Sequence, residues 1–155
     1  MTFRLHGLDP IPFEPLFALD DASLARRGMR RVVADDDVGY PCRVALEDAR
    51  IGEELLLLHW QHVPGASPYR ASGPIFVRRR SRQPALAPGE VPAYVNRRLI
   101  SLRAYDAAWT MLDARVCEGA DVAGELALVF RGAAVACVQL HNARRGCYSC
   151  VAYRA

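Results

Sequence analysis

His141 and Cys147 flank the segment Asn142-Ala143-Arg144-Arg145-Gly146 near the end of the chain. If those residues form the loop of a closing β-hairpin, the imidazole stands opposite the thiol with Cβ atoms ~5 Å apart. An imidazole at that distance can take up the thiol proton and leave a nucleophilic thiolate, with Asn142 at hand to orient a ring or a ligand. Cys42 is the other cysteine read as a catalytic candidate beside His141. The plainer reading of the same residues is an ordinary hairpin with a half-buried cysteine and a hydrogen-bonded histidine.

The second kind of chemistry is anion recognition. All 20 basic side chains are arginine, and there is no lysine. Schiff-base and pyridoxal-phosphate enzymes need a lysine amine, and Walker-type hydrolases and kinases need a lysine on the phosphates, so those classes are excluded. Arginine instead holds carboxylates, phosphates and aromatic faces through a planar fork. Arg43, Arg70 and Arg103 are the candidate anion-binding groups, with Tyr69, Tyr105 and Asn142 shaping the pocket. Codon usage in a GC-rich genome would also replace lysine by arginine throughout, so the composition alone names no ligand.

Metal chemistry lacks its usual spacing. Cys147-Tyr148-Ser149-Cys150 has CxxC spacing, but on a strand the two sulfurs face opposite ways, and His59-Trp60-Gln61-His62 has the same defect. A mixed set of Cys42, His59, His141 and Cys147 follows no four-ligand pattern. No metal and no cofactor are expected.

These residues must be positioned by short elements. Phe3 and Leu5 alternate with Arg4 and His6 in a short edge strand ending at Gly7. Asp20 or Asp21 caps a helix through Arg27 that Gly28 stops. Strands are expected at 30–34, 43–46, 54–63 and 75–79, with 64–74 a loop and a helical turn over 91–98 behind Pro92. Leu99–Tyr105 and Trp109–Cys117 form a hairpin in which Ile100, Leu102 and Ala104 share one face and Ser101, Arg103 and Tyr105 the other. Arg103 and Tyr105 could then line a pocket wall, or pair across the strand with Asp113 or Arg115. Asp121 caps a helix ended by Gly132, and strands at 134–141 and 147–153 close the chain. The pattern is α+β: one domain over residues 1–155, with a largely antiparallel, curved sheet and a few short helices. The loops around 40–43, 64–74 and 141–147 are expected to share a mouth.

At 155 residues the chain can bury a sizeable core, and 52% hydrophobic with 24% charged residues is ordinary for a globular protein. The aliphatic runs are too short to span a bilayer, and Met1-Thr2-Phe3-Arg4 does not open like a signal peptide. The odd set of five cysteines then reads as free thiols in a cytoplasmic protein. The net charge of +3 conceals a segregation: residues 1–60 carry a net −4, residues 61–104 a net +7, and the remainder balances. Acidic and basic parts are expected to face each other, within the fold or across a homodimer. The run Arg78-Arg79-Arg80-Ser81-Arg82 has no nucleic-acid reading element beside it, so no tight binding to DNA or RNA is expected.

Taken together, Gly39-Tyr40-Pro41-Cys42-Arg43, the run from Ser67 to Arg78, Leu102-Arg103-Ala104-Tyr105-Asp106, and His141-Asn142-Ala143-Arg144 with Gly146-Cys147-Tyr148 resemble the bacterial family known as domain of unknown function 1203. The likeness runs over essentially the whole chain. It implies a bacterial, cytoplasmic protein and supplies no activity. The sequence thus supports binding of a small anionic ligand, with a Cys/His-dependent enzyme and a dimeric interaction protein as the other readings.

Overall fold

In the computed structural model, which describes residues 2–155, ten strands are shared between two five-stranded sheets. The first sheet contains β1 (Phe3–His6), β7 (Leu99–Tyr105), β8 (Met111–Glu118), β9 (Cys137–Asn142) and β10 (Tyr148–Arg154), in the order β1-β10-β9-β7-β8, antiparallel throughout. The second runs β2-β5-β6-β3-β4 and comprises β2 (Arg30–Val33), β3 (Pro41–Cys42), β4 (Glu47–Asp48), β5 (Glu54–Val63) and β6 (Ala71–Arg78). Its one parallel contact is Cys42 beside Phe76. Three short helices, α1 (Asp21–Arg26), α2 (Ala93–Asn96) and α3 (Val122–Val129), complete an α+β fold.

Period-two patterning assigns the faces of the first sheet. Ile100, Leu102 and Ala104 of β7 join Val138 and Leu140 of β9 and Phe3 and Leu5 of β1 in a core covered by Val122, Leu126 and Val129 of α3. The alternate residues, Ser101 and Arg103 opposite His141 and Gln139, lie on the other face. A second core gathers Leu24 of α1, Cys42, Leu56, Leu58, Ile75 and Val77 of the second sheet, and Tyr148 of β10. Tyr148 is one place where the two sheets share packing; Val63 of β5 against Tyr105 of β7 and Cys137 of β9 is another.

Local signals hold at α1. Asp20 Oδ1 accepts a hydrogen bond from the Ser23 amide at 2.7 Å, and Gly28 takes the left-handed φ of 71° that ends the helix. Asp121 makes no side-chain cap, because the chain already coils through Gly119–Asp121 before α3 begins. Residues 43–46 form a turn rather than a strand, closed by the Leu46 amide on the Cys42 carbonyl at 3.0 Å, with Leu46 at φ 53°. Residues 71–74, expected in a loop, open β6. Pro74 is tolerated there because β3 meets β6 only at Phe76, leaving that edge unpaired. The segment 134–136 likewise precedes β9 rather than belonging to it.

Gly7 fixes how the two sheets meet. A Cβ built there would lie 2.0 Å from the Val44 carbonyl oxygen, and the next amide, that of Leu8, donates to the Arg43 carbonyl at 2.8 Å. With the Arg43 amide bonded to the Phe76 carbonyl at 3.0 Å, the backbone of the turn is held from both sides.

Candidate functional site

The closing hairpin has a different register from the one its loop length suggests. His141 pairs with Tyr148, and the Asn142 amide bonds to the Cys147 carbonyl at 2.9 Å, so Cys147 stands opposite Asn142. A bulge between Tyr148 and Cys150 absorbs the extra residue and returns Cys150 to the pairing with Leu140. A slip of one residue exchanges faces. The expected His141–Cys147 pair is thereby dissolved, and two polar groups form in its place.

The first lies at the mouth of the hairpin. Arg43, only 2% exposed, donates from Nε to the Tyr148 carbonyl at 2.7 Å and from one terminal nitrogen to the Pro41 carbonyl at 2.5 Å. The other terminal nitrogen lies 3.1 Å from Cys147 Sγ. Asn142 Nδ2 approaches the same sulfur at 3.5 Å, while Asn142 Oδ1 is buried with no hydrogen-bond donor among the described residues. Arg43 has no carboxylate partner among the described residues. All its guanidinium bonds are internal, so it positions and charges the hairpin mouth rather than reaching out to a ligand.

The second group lies on the polar face of the first sheet, under the end of β5. The Gln139 amide donates to the His62 carbonyl at 2.7 Å, and its Oε1 lies 2.9 Å from His62 Nδ1 and 3.2 Å from His141 Nε2. His141 Nδ1 lies 3.2 Å from the Gly146 carbonyl. His62 stacks on Tyr148 with centroids 5.6 Å apart, and His141 meets His62 edge-on at 4.8 Å. Burial, followed by the positive charge of Arg103, pushes the His141 imidazole down to about 3. Burial and Arg103 also lower His62, against its bond to Gln139. Both rings are therefore neutral, and the half-buried Arg103 is the charge of this face. Arg103 forms no ion pair with a carboxylate among the described residues. It reaches Ser101 Oγ at 3.5 Å and opposes the burial that raises the Tyr105 hydroxyl.

Asp113 and Arg115 pair with each other at 3.0 Å, so neither satisfies Arg103. Tyr69 is exposed, and its loop is tied to the turn after β7 by Ser67 Oγ donating to the Trp109 carbonyl at 2.9 Å. That brings Tyr69 towards Tyr105. Arg70 is exposed on the same loop. The three loops expected at one mouth are thus divided: 40–43 meets 141–147 at Arg43 and Cys147, whereas 64–70 joins Tyr105. Cys42 is fully buried in the second core, its sulfur facing the Arg78 and Ala45 amides at 3.3 and 3.5 Å. His59 is exposed against Ser72. Among the described residues no three His, Cys, Asp or Glu side chains gather to hold a metal ion.

Sequence reasoning did not single out Gln139 or the role of His62. Gln139 shares a face with His141 by strand alternation, which is a usable signal; the approach of His62 from the other sheet has no local one. Two open clefts, of about 440 and 780 Å³, lie elsewhere. In the first, Arg78 and Arg79 are already paired with Glu47, Glu53 and Glu54, and in the second Arg97 faces Asp48. Neither cleft is lined by Cys147 or the imidazoles.

Residues 39–154 match the family model described as Protein of unknown function (DUF1203). No curated protein and no solved structure matches the chain.

Proposed function

The chain belongs to the DUF1203 family, and from that premise we propose that its Arg103 face is a binding site for a small anion. One observation carries this reading. Arg103 is a partly desolvated cation on a face whose other groups, Gln139, His62 and His141, are neutral, and it has no carboxylate partner among the described residues. Withdrawing a charge from water without a counter-charge is costly, and an incoming anion removes that cost. The guanidinium fork suits a carboxylate or phosphate, with Ser101 as a hydroxyl neighbour and the Tyr105–Tyr69 edge as an apolar wall.

The test is a thermal-shift series with inorganic phosphate, sulfate and small mono- and dicarboxylates. A ligand bound only by the folded state stabilises it by about 2.7 kcal/mol at a hundred times its Kd. We expect at least one anion to raise the midpoint of the native protein and Arg103→Gln to abolish the rise. Because no ion pair is lost, the variant alone should melt close to the native midpoint. A panel with no shift, or a shift that survives in Arg103→Gln, overturns the proposal.

A further inference from the structure

We propose that Cys147 is a nucleophilic thiolate whose counter-charge is the buried Arg43 guanidinium, and that it reacts with small anionic electrophiles. The inference is independent of the Arg103 site and starts from Arg43. A guanidinium stays protonated, and a buried cation requires compensation. Two of its bonds go to neutral carbonyls. The group at its third position that can become an anion is the Cys147 sulfur at 3.1 Å. Asn142 Nδ2 adds a donor on the same sulfur, so both polar neighbours offer protons to it and neither accepts one. A thiolate accepts from both far better than a thiol, whose sulfur is a weak acceptor. Asn142 Oδ1, on the same side chain, is buried without a hydrogen-bond donor among the described residues.

Position separates this thiol from the other four. Cys42, Cys137 and Cys150 are buried, and burial pushes Cys137 up to about 11 and Cys150 up to about 12. Cys117 is half-exposed like Cys147, yet burial and then Glu125, Asp121 and Glu118 push its thiol up. In the reaction the Cys147 sulfur forms a bond to the electrophilic carbon while the bond from that carbon to its leaving group breaks, and the leaving group departs with the electron pair. No proton and no redox partner are involved. Sulfur becomes neutral on bonding, so Arg43 loses its counter-charge. An adduct carrying its own carboxylate restores one, which selects anionic electrophiles over neutral ones.

Iodoacetamide and iodoacetate provide a matched neutral and anionic pair. The native protein is alkylated briefly at about pH 6, where an ordinary thiol is almost wholly protonated, and the labelled cysteines are mapped by peptide mass spectrometry. Cys147 should react at least about tenfold faster than Cys117. Its ratio of iodoacetate to iodoacetamide rates should exceed that of free cysteine about threefold or more. The native rates decide the matter, so a folding defect in Arg43→Met would not obscure it; where that variant folds, Cys147 should slow to the Cys117 rate. Equal rates at the two cysteines would overturn the thiolate. Fast labelling without preference for iodoacetate would overturn the anionic class of substrate. The Arg103 proposal is tested by phosphate and sulfate and fails or stands separately.

Discussion

His141 lies between two acceptors, Gln139 Oε1 and the Gly146 carbonyl, and a neutral imidazole has one N–H to give. The imidazolium would satisfy both, so the local hydrogen bonds favour the cation while burial, the charges of Arg103 and Arg43, and the neighbouring His62 ring oppose it. Burial is the largest cause, and the ring is pushed down to about 3. An unfolded histidine titrates near ~6.5, so between those values the unfolded chain binds a proton that the folded chain refuses. The contribution of the neutral ring is intact above ~6.5 and is lost as pH falls towards 3, at up to about 1.4 kcal/mol per pH unit. Urea unfolding across this window should show stability falling with pH, and His141→Gln should remove a large part of that slope. Identical slopes in the two proteins would show that other groups dominate acid sensitivity. His141 is thus a neutral ring held between Gln139 and the Gly146 carbonyl.

The short elements explain which features were legible in the sequence. The cap at Asp20 and stop at Gly28, and the two faces of β7, depend on near neighbours and were readable. The register of β9 and β10 depends on a bulge that no single residue marks, so a symmetric loop placed Cys147 opposite the wrong partner. The Arg43 turn likewise patterns as a strand, because its conformation is imposed by contacts from β6 and from the chain after β1. Gly7 is the key to that contact. Gly7→Ala would drive a Cβ into the Val44 carbonyl, and neither backbone can yield without moving the turn. We expect a loss of more than about 2 kcal/mol in denaturant unfolding. Cys147 alkylation should slow in the same variant, because the turn carries Arg43. A variant of native stability would show that the approach of the two backbones relaxes freely.

At the scale of the molecule, the segregated charge is largely consumed inside the fold. Arg78 and Arg79 of the basic middle third pair with Glu47, Glu53 and Glu54, and Arg97 and Arg98 converge on Asp48, all acidic groups of the first 60 residues. The +7 read along the chain is therefore no +7 surface. Arg103 is half-buried, which leaves Arg70, Arg80 and Arg82 exposed without ion pairs among the described residues. Binding to nucleic acid weakens with salt at a log–log slope of about −0.9 for each phosphate neutralised. If every arginine of the middle third met a phosphate the slope would approach about −7; with three available it should not exceed about −3. So few contacts leave little affinity once counterions compete at about 0.15 M salt. Fluorescence anisotropy with labelled single- and double-stranded oligonucleotides should give dissociation constants weaker than about 1 µM at that salt, with the shallow slope. Sub-micromolar binding with a slope near −7 would require the internal ion pairs to open in favour of phosphate, and would replace the small anion by a nucleic acid as the partner of this basic surface.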